Sequence, residues 1–204
     1  MKLYDSVGPN PRVVRIAMAE KGMTIDTVTV DLMGGENRRG DYKARVPIGT
    51  LPALELDDGR IITEVTAIVD YLEELQPSPP VIGATPADRA ETRMWVRRMD
   101  LLVFEPMSNG FRASEGRGLF ESRITLVSPE AAAELKSLAQ EKLLWLDGQL
   151  QGRTWVCGER FTFADIMLMA FLEFGAQIGQ PMPAAATWLP GFLERAAARP
   201  SAKA

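Results

Sequence analysis

The chain has 204 residues, 46% of them apolar and 25% charged, the balance of an ordinary folded protein of one domain or two small ones. A formal charge of -4 argues against wholesale nucleic-acid binding; no stretch has the apolar run of a membrane helix or a secretory signal, so a cytoplasmic address is expected. With no histidine and a single cysteine, Cys157, the chain has no internal disulfide, no Ser-His-Asp or Cys-His catalysis and no zinc site of the usual kinds, and no metal is expected. Its chemistry must come from hydroxyls, carboxylates, amides, backbone dipoles or a thiol brought by a ligand.

Lys2 to Ser6 reads as a short strand, and Val7-Gly8-Pro9-Asn10-Pro11 as the turn that delivers the chain into a helix. Asn10 stands where an N-cap belongs and Pro11 at the first helical position. Val13, Val14, Ala17 and Met18 then supply an apolar face before Lys21-Gly22 ends the helix. Thr27 to Val30 alternates as a strand does, while residues 34 to 46 are charged and poorly periodic, a loop with room for one short helix. Residues 53 to 56 and 60 to 62 flank Asp57-Asp58-Gly59, a hairpin signal. Thr63 reads as the next N-cap, with Val65, Ile68, Val69, Leu72 and Leu75 as the buried stripe of the helix that follows.

Pro77, Pro79 and Pro80 cannot continue a helix, and residues 77–86 form the best linker in the chain. The expected organisation is an α/β domain over 1–76, the linker, and an all-helical domain over 87–204. In the second domain, residues 87 to 112 read as one long helix disturbed at Pro106, with Arg93, Arg97 and Arg98 as a solvated or partner-facing stripe. Gly116-Arg117-Gly118 marks a loop. Ser128-Pro129-Glu130 opens a helix that runs to Leu150, with Leu135, Leu138, Leu143, Leu146 and Leu150 inward. Thr162 and Asp165 have the spacing of a capping box, Cys157 just before them reads as a small buried side chain, and a last helix lies between Leu189 and Arg199.

Several of these segments carry a family resemblance. Met1-Lys2-Leu3-Tyr4, Arg15-Ile16-Ala17 with Glu20-Lys21-Gly22, Pro47-x-Gly49, Leu51-Pro52-Ala53-Leu54 and Phe161-Thr162-x-Ala164-Asp165-Ile166 follow one another in an order and spacing that resembles a bacterial-type cytosolic glutathione S-transferase over nearly the whole length. The resemblance implies a thioredoxin-like N-terminal domain, an all-helical C-terminal domain, a homodimer, and a cis peptide before Pro52. It also implies that glutathione pairs its cysteinyl segment with the Leu51 main chain as an added strand. Glu64 and Val65 match the family's acidic residue and serine at the γ-glutamyl end. There Glu64 would meet the ligand's ammonium, and the free amides of the helix start its carboxylate. Valine in place of serine removes one side-chain donor, leaving the Val65 amide and the Thr66 hydroxyl.

Family members lower the glutathione thiol pKa with a tyrosine, serine or cysteine at or just after the first strand. Here no cysteine is present there, and the serine-type position near Gly8 or Pro9 has no hydroxyl. Tyr4, Ser6 and Asn10 remain as polar candidates; Asn10, at the position corresponding to the cysteine of the bacterial cysteine-type enzymes, is the preferred thiolate stabiliser. The expected function is transfer of the glutathione thiolate to a small electrophile. The rival is a non-catalytic binding or interaction protein of the same fold; a glutathione-dependent disulfide reductase is disfavoured by the missing cysteine.

Overall fold

The computed structural model describes all 204 residues, which group into two compact units, Met1–Ala84 with Pro200–Ala204, and Thr85–Arg199. The last five residues, expected with the helical domain, return to the first unit. There Arg12 donates to the Ala202 and Ala204 carbonyls at 3.0 Å each, and Ser201 donates to Glu20.

In the first unit, β1 (Lys2–Asp5), α1 (Pro9–Lys21), β2 (Asp26–Thr29), α2 (Gly40–Arg45), β3 (Ala53–Glu55), β4 (Ile61–Thr63) and α3 (Val65–Leu75) follow in order. The sheet order is β2-β1-β3-β4, with β1 and β2 parallel and the other pairs antiparallel. Successive strand residues point to opposite faces, and the chain uses both. On one face Leu3, Val14, Leu54, Ile68 and Leu72 are fully buried with α1 and α3; on the other Tyr4, Val30, Tyr42, Val46 and Ala53 pack with α2. Burying one such large side chain is worth about 1.5–3 kcal/mol. Residues 34–46, too polar and aperiodic to assign, resolve into a 3₁₀ turn at Glu36–Arg38 and the short α2.

The second unit contains α4 (Pro86–Met99), α5 (Glu105–Ala113), α6 (Arg117–Phe120), α7 (Pro129–Gln149), α8 (Phe163–Gln177) and α9 (Leu189–Ala197). The expected long helix is divided by a π-helical turn over Asp100–Phe104, where the Glu105 amide reaches back to the Asp100 carbonyl. Pro106, with no N–H of its own, follows that turn directly. Gly116–Gly118 is not a plain loop, since α6 starts at Arg117. Along α7 the inward seam is Ala132, Ala139, Leu143 and Leu146, continued by Leu150, whereas Leu138 is 46% exposed. At the crossing with α5, a side chain at Gly110 would sit 3.2 Å from the Ala132 carbonyl, so small residues occupy it. The capping box forms as expected, with the Thr162 amide on Asp165 at 2.8 Å and the Ala164 amide on the Thr162 hydroxyl at 3.3 Å. No helix is long and apolar enough to cross a membrane.

Candidate functional site

The sheet register assembles the site. Asp5 at the end of β1 lies beside Thr29 at the end of β2, while Tyr4 faces Ala53 at the start of β3, and Ala53 faces Thr63 at the end of β4. One end of the sheet therefore carries the β1–α1 loop with Ser6 and Asn10, the Leu51-Pro52 step, and the start of α3 at Glu64 and Val65. Strand pairing alone joins residues as far apart as Lys2 and Glu55, 53 positions in sequence.

Asn10 is not the N-cap of α1. The helix begins at Pro9 with Gly8 in the cap position at φ 109, because proline's fixed φ already suits a first helical turn and glycine tolerates the positive φ of the preceding bend. Asn10 is thus the second helical residue, and its side chain caps nothing. Pro9 and Pro11 on either side lack N–H groups, and the Arg12 amide turns back to the Gly8 carbonyl at 3.4 Å. The first turn therefore presents one backbone donor, that of Asn10 itself.

Ser6 is buried, and its hydroxyl donates to the Val30 carbonyl at 2.7 Å, which engages its one proton in joining the ends of β1 and β2. Arg15 braces the same corner, 2.8 Å from Asp5 and 3.2 Å from the Ser6 carbonyl. Tyr4, the third polar candidate, is also buried and donates to Glu55 at 2.5 Å. Burial first and the Glu55 carboxylate second push its phenol above the usual tyrosine range. Of the three, Asn10 alone is neither buried nor engaged as a cap.

The Leu51–Pro52 peptide is cis, Pro52 is buried, and the Leu51 main-chain N–H and C=O make no hydrogen bond within the protein. Thr63 is not the cap of α3. It is held in the β4 ladder opposite Ala53, and the cap position falls to Glu64 at φ 67, ψ 124, the one non-glycine residue of positive φ in the chain. Such a backbone costs on the order of 1–3 kcal/mol. The Glu64 side chain is exposed and caps none of the first-turn amides, so those of Val65, Thr66 and Ala67 have no intrahelical partner. The Val65 side chain packs against the core of α1, α3 and the sheet, which leaves only its backbone amide for a ligand.

Sequence reasoning missed a group of residues beside Leu51. Asn37 Oδ1, Arg38 Nε and Thr50 Oγ1 are all buried with no hydrogen-bond partner. Gly49 is required among them: at φ 69, a Cβ there would meet the Asn37 carbonyl at 2.7 Å. Only the Pro47-x-Gly49 spacing hinted at this corner, since residues 34–46 carry no periodic signal. No group of three or more His, Cys, Asp or Glu side chains is arranged to hold a metal ion.

An α/β unit of this topology followed by an all-helical one defines a two-domain protein with a thioredoxin-like first domain. The family model described as glutathione S-transferase, N-terminal domain, matches residues 3–80, and that described as glutathione S-transferase, C-terminal domain, matches residues 103–200. The chain is 34% identical over 211 residues to glutathione S-transferase 2 of Saccharomyces cerevisiae, covering 100% of this chain and 88% of the relative. Among solved structures, a glutathione S-transferase domain-containing protein of Marinobacter aquaeolei superposes with a TM-score of 0.91 at 38% identity, covering 98% of this chain and 99% of that one. A sphingomonad glutathione S-transferase complexed with glutathione superposes with a TM-score of 0.78 at 28% identity, covering 100% and 96%. The chain belongs to the glutathione S-transferase family.

Proposed function

We propose that the protein is a glutathione transferase that binds glutathione at the converging end of the first unit's sheet and adds its thiolate to a small electrophile. The observation that carries this reading is the set of unused backbone groups there: the Leu51 N–H and C=O, and the first-turn amides of α3 beside the exposed Glu64 carboxylate. They match a peptide with a main chain to pair, an ammonium to meet Glu64, and a carboxylate to lie on a helix N-terminus. We assign a second carboxylate, at the glycine end of glutathione, to Arg38 Nε and the Thr50 hydroxyl beside Leu51, buried donors without a partner, the Arg38 Nη1 being spent on the Ile48 carbonyl.

In this reading the Asn10 side-chain amide and its backbone N–H face the sulfur and favour its ionised form. The thiol proton leaves to water and the sulfur lone pair forms the new C–S bond; the pair it displaces departs with the leaving group in a substitution, or in an addition moves from the π bond onto the electrophile's acceptor atom, which takes a proton from water. Asn10→Ala is expected to lower kcat/KM with a model electrophile by about ten-fold, the worth of one hydrogen bond to a charged group, with glutathione affinity changed less. Equal rates in the two proteins would remove Asn10 from the mechanism.

A second reading is favoured by a specific pattern: the hydroxyls of Ser6 and Tyr4 are both engaged within the protein, and Val65 offers no side-chain donor. In it the protein binds without efficient catalysis. Calorimetry with glutathione separates the possibilities, since binding without turnover supports the second and no binding at millimolar ligand rejects both as glutathione readings. The dimer belongs to the proposal as well. Met94 on α4 and Leu101 in the π-helical turn after it are 40% and 50% exposed and suit a partner copy, which sedimentation would detect.

A further inference from the structure

We infer that Tyr42 is a positioning residue of the glutathione site, aiming the Leu51 N–H at the ligand by holding the carbonyl of the same peptide plane. The inference rests on the glutathione reading above and adds to it a residue on the opposite face of the sheet from α1 and α3.

Four successive carbonyls lead into the Leu51-Pro52 step, and each accepts a hydrogen bond from the segment 37–43. Lys43 donates to Pro47, Arg38 to Ile48 at 3.0 Å, Asn37 to Gly49 at 2.7 Å, and Tyr42 to Thr50. The outer two bonds are exposed, where water competes for both partners. The inner two come from Asn37, 2% exposed, and Tyr42, 6% exposed, where losing a donor leaves a carbonyl with no replacement. The last bond differs from the rest in its consequence. The Thr50 carbonyl and the Leu51 N–H belong to one planar trans peptide, in which C=O and N–H point in opposite directions. With the carbonyl fixed on Tyr42, the Leu51 N–H points away from α2.

Tyr42 is itself held from several sides. Its ring meets Tyr4 edge-on, with centroids 5.5 Å apart. Tyr4 is anchored on Glu55 at 2.5 Å, and Glu55 is tied back to α2 through Arg45 at 3.0 Å. The circuit links α2, β1 and β3 and closes on the loop that would read the ligand. Burial raises the Tyr42 phenol, so it remains a donor across the physiological range.

Tyr42→Phe removes one oxygen and keeps the ring against Tyr4. The expected result is a glutathione Kd raised about five- to ten-fold with kcat at saturating glutathione nearly unchanged, the scale of one buried hydrogen bond. Hydrogen exchange at the Gly49 amide, which donates to Val46 at 2.8 Å, should quicken several-fold as the loop loosens. Lys43→Ala, which frees a carbonyl three peptides further back, should leave the Kd unchanged. An unaltered Kd in Tyr42→Phe overturns the inference, as does an equal loss in Lys43→Ala, which would indicate general loosening of the loop. If the unsubstituted protein fails to bind glutathione, the glutathione reading falls by itself, and the Gly49 exchange rate still decides whether Tyr42 holds the loop. Should Tyr42→Phe not fold, a crystal of the unsubstituted protein with glutathione decides: a ligand that bypasses the Leu51 N–H overturns the assignment.

Discussion

Glu64 carries two roles that pull against each other. Its φ of 67 belongs to a region that glycine enters freely and a side chain does not, yet its carboxylate is the one acidic group at the start of α3. Replacement by glycine relieves the strain and partly returns the gain as unfolded-chain entropy. Glu64→Gly is therefore expected to raise stability by about 1 kcal/mol in urea unfolding while weakening glutathione binding in calorimetry. A loss of stability would show that the strained conformation is held at no cost. The family resemblance points to Glu64 as the acidic residue of the candidate site, while the local pattern assigns the cap to Thr63, following the ordinary preference for hydroxyls. That preference is local, and it loses to the ladder pairing of Thr63 with Ala53.

Among the elements, the joint between α1 and α3 depends on a pair that reads in sequence only as a helix stop. Lys21 is buried, 2.6 Å from Glu73, and donates also to the Pro79 carbonyl at 3.0 Å. Glu73 in turn accepts the Val81 and Ile82 amides at 3.2 and 3.0 Å, so the pair fastens residues 79–82 onto both helices. Removing one partner leaves a buried charge and two unpaired amides. Glu73→Ala is expected to cost about 3–5 kcal/mol, and Lys21→Met with Glu73→Met together less than Glu73→Ala alone, as measured by chemical denaturation. Additive losses would argue against coupling. In the second unit the Cys157 sulfur lies between the Thr92 and Thr162 hydroxyls at 3.7 and 3.6 Å, and burial pushes its thiol up, the setting of an inert packing residue.

For the molecule as a whole, two buried carboxylates give its stability opposing pH dependences. Burial pushes Asp165 up to about 7, against the Val156 and Thr162 amides and the Thr162 hydroxyl that favour its anion. Between the ordinary aspartate value of 3.8 and about 7 the native state holds a proton that the unfolded chain has released. This contribution is complete below that window and is lost as pH rises through it, at no more than about 1.4 kcal/mol per pH unit. Asp147 behaves in the other sense. Burial raises its pKa, but the Leu189, Thr187 and Trp188 amides at the start of α9 more than offset this, so its carboxyl ends below 3.8 and its contribution is lost only as acid protonates it. Unfolding free energies measured from pH 4 to 7 should fall with pH in the natural protein and flatten in Asp165→Asn. An unchanged slope would mean that Asp165 is ionised throughout.

The sequence by itself determined most of the elements and the division into an α/β part and a helical part, because alternation, helical spacing, prolines and capping boxes act within a few residues of one another. The Thr162–Asp165 box was legible for that reason, whereas the roles proposed for Leu51, Pro52 and Glu64 come from the family resemblance. The aperiodic residues 34–46, the π-helical turn at 100–104 and α6 escaped those local patterns. Tertiary structure decided which polar groups remain for a ligand. Ser6 finds Val30, Tyr4 finds Glu55, and Lys21 finds Glu73, partners 24, 51 and 52 positions away that only strand pairing and helix packing bring within reach. A side chain's chemistry is written in the sequence, but its availability depends on what the fold places beside it.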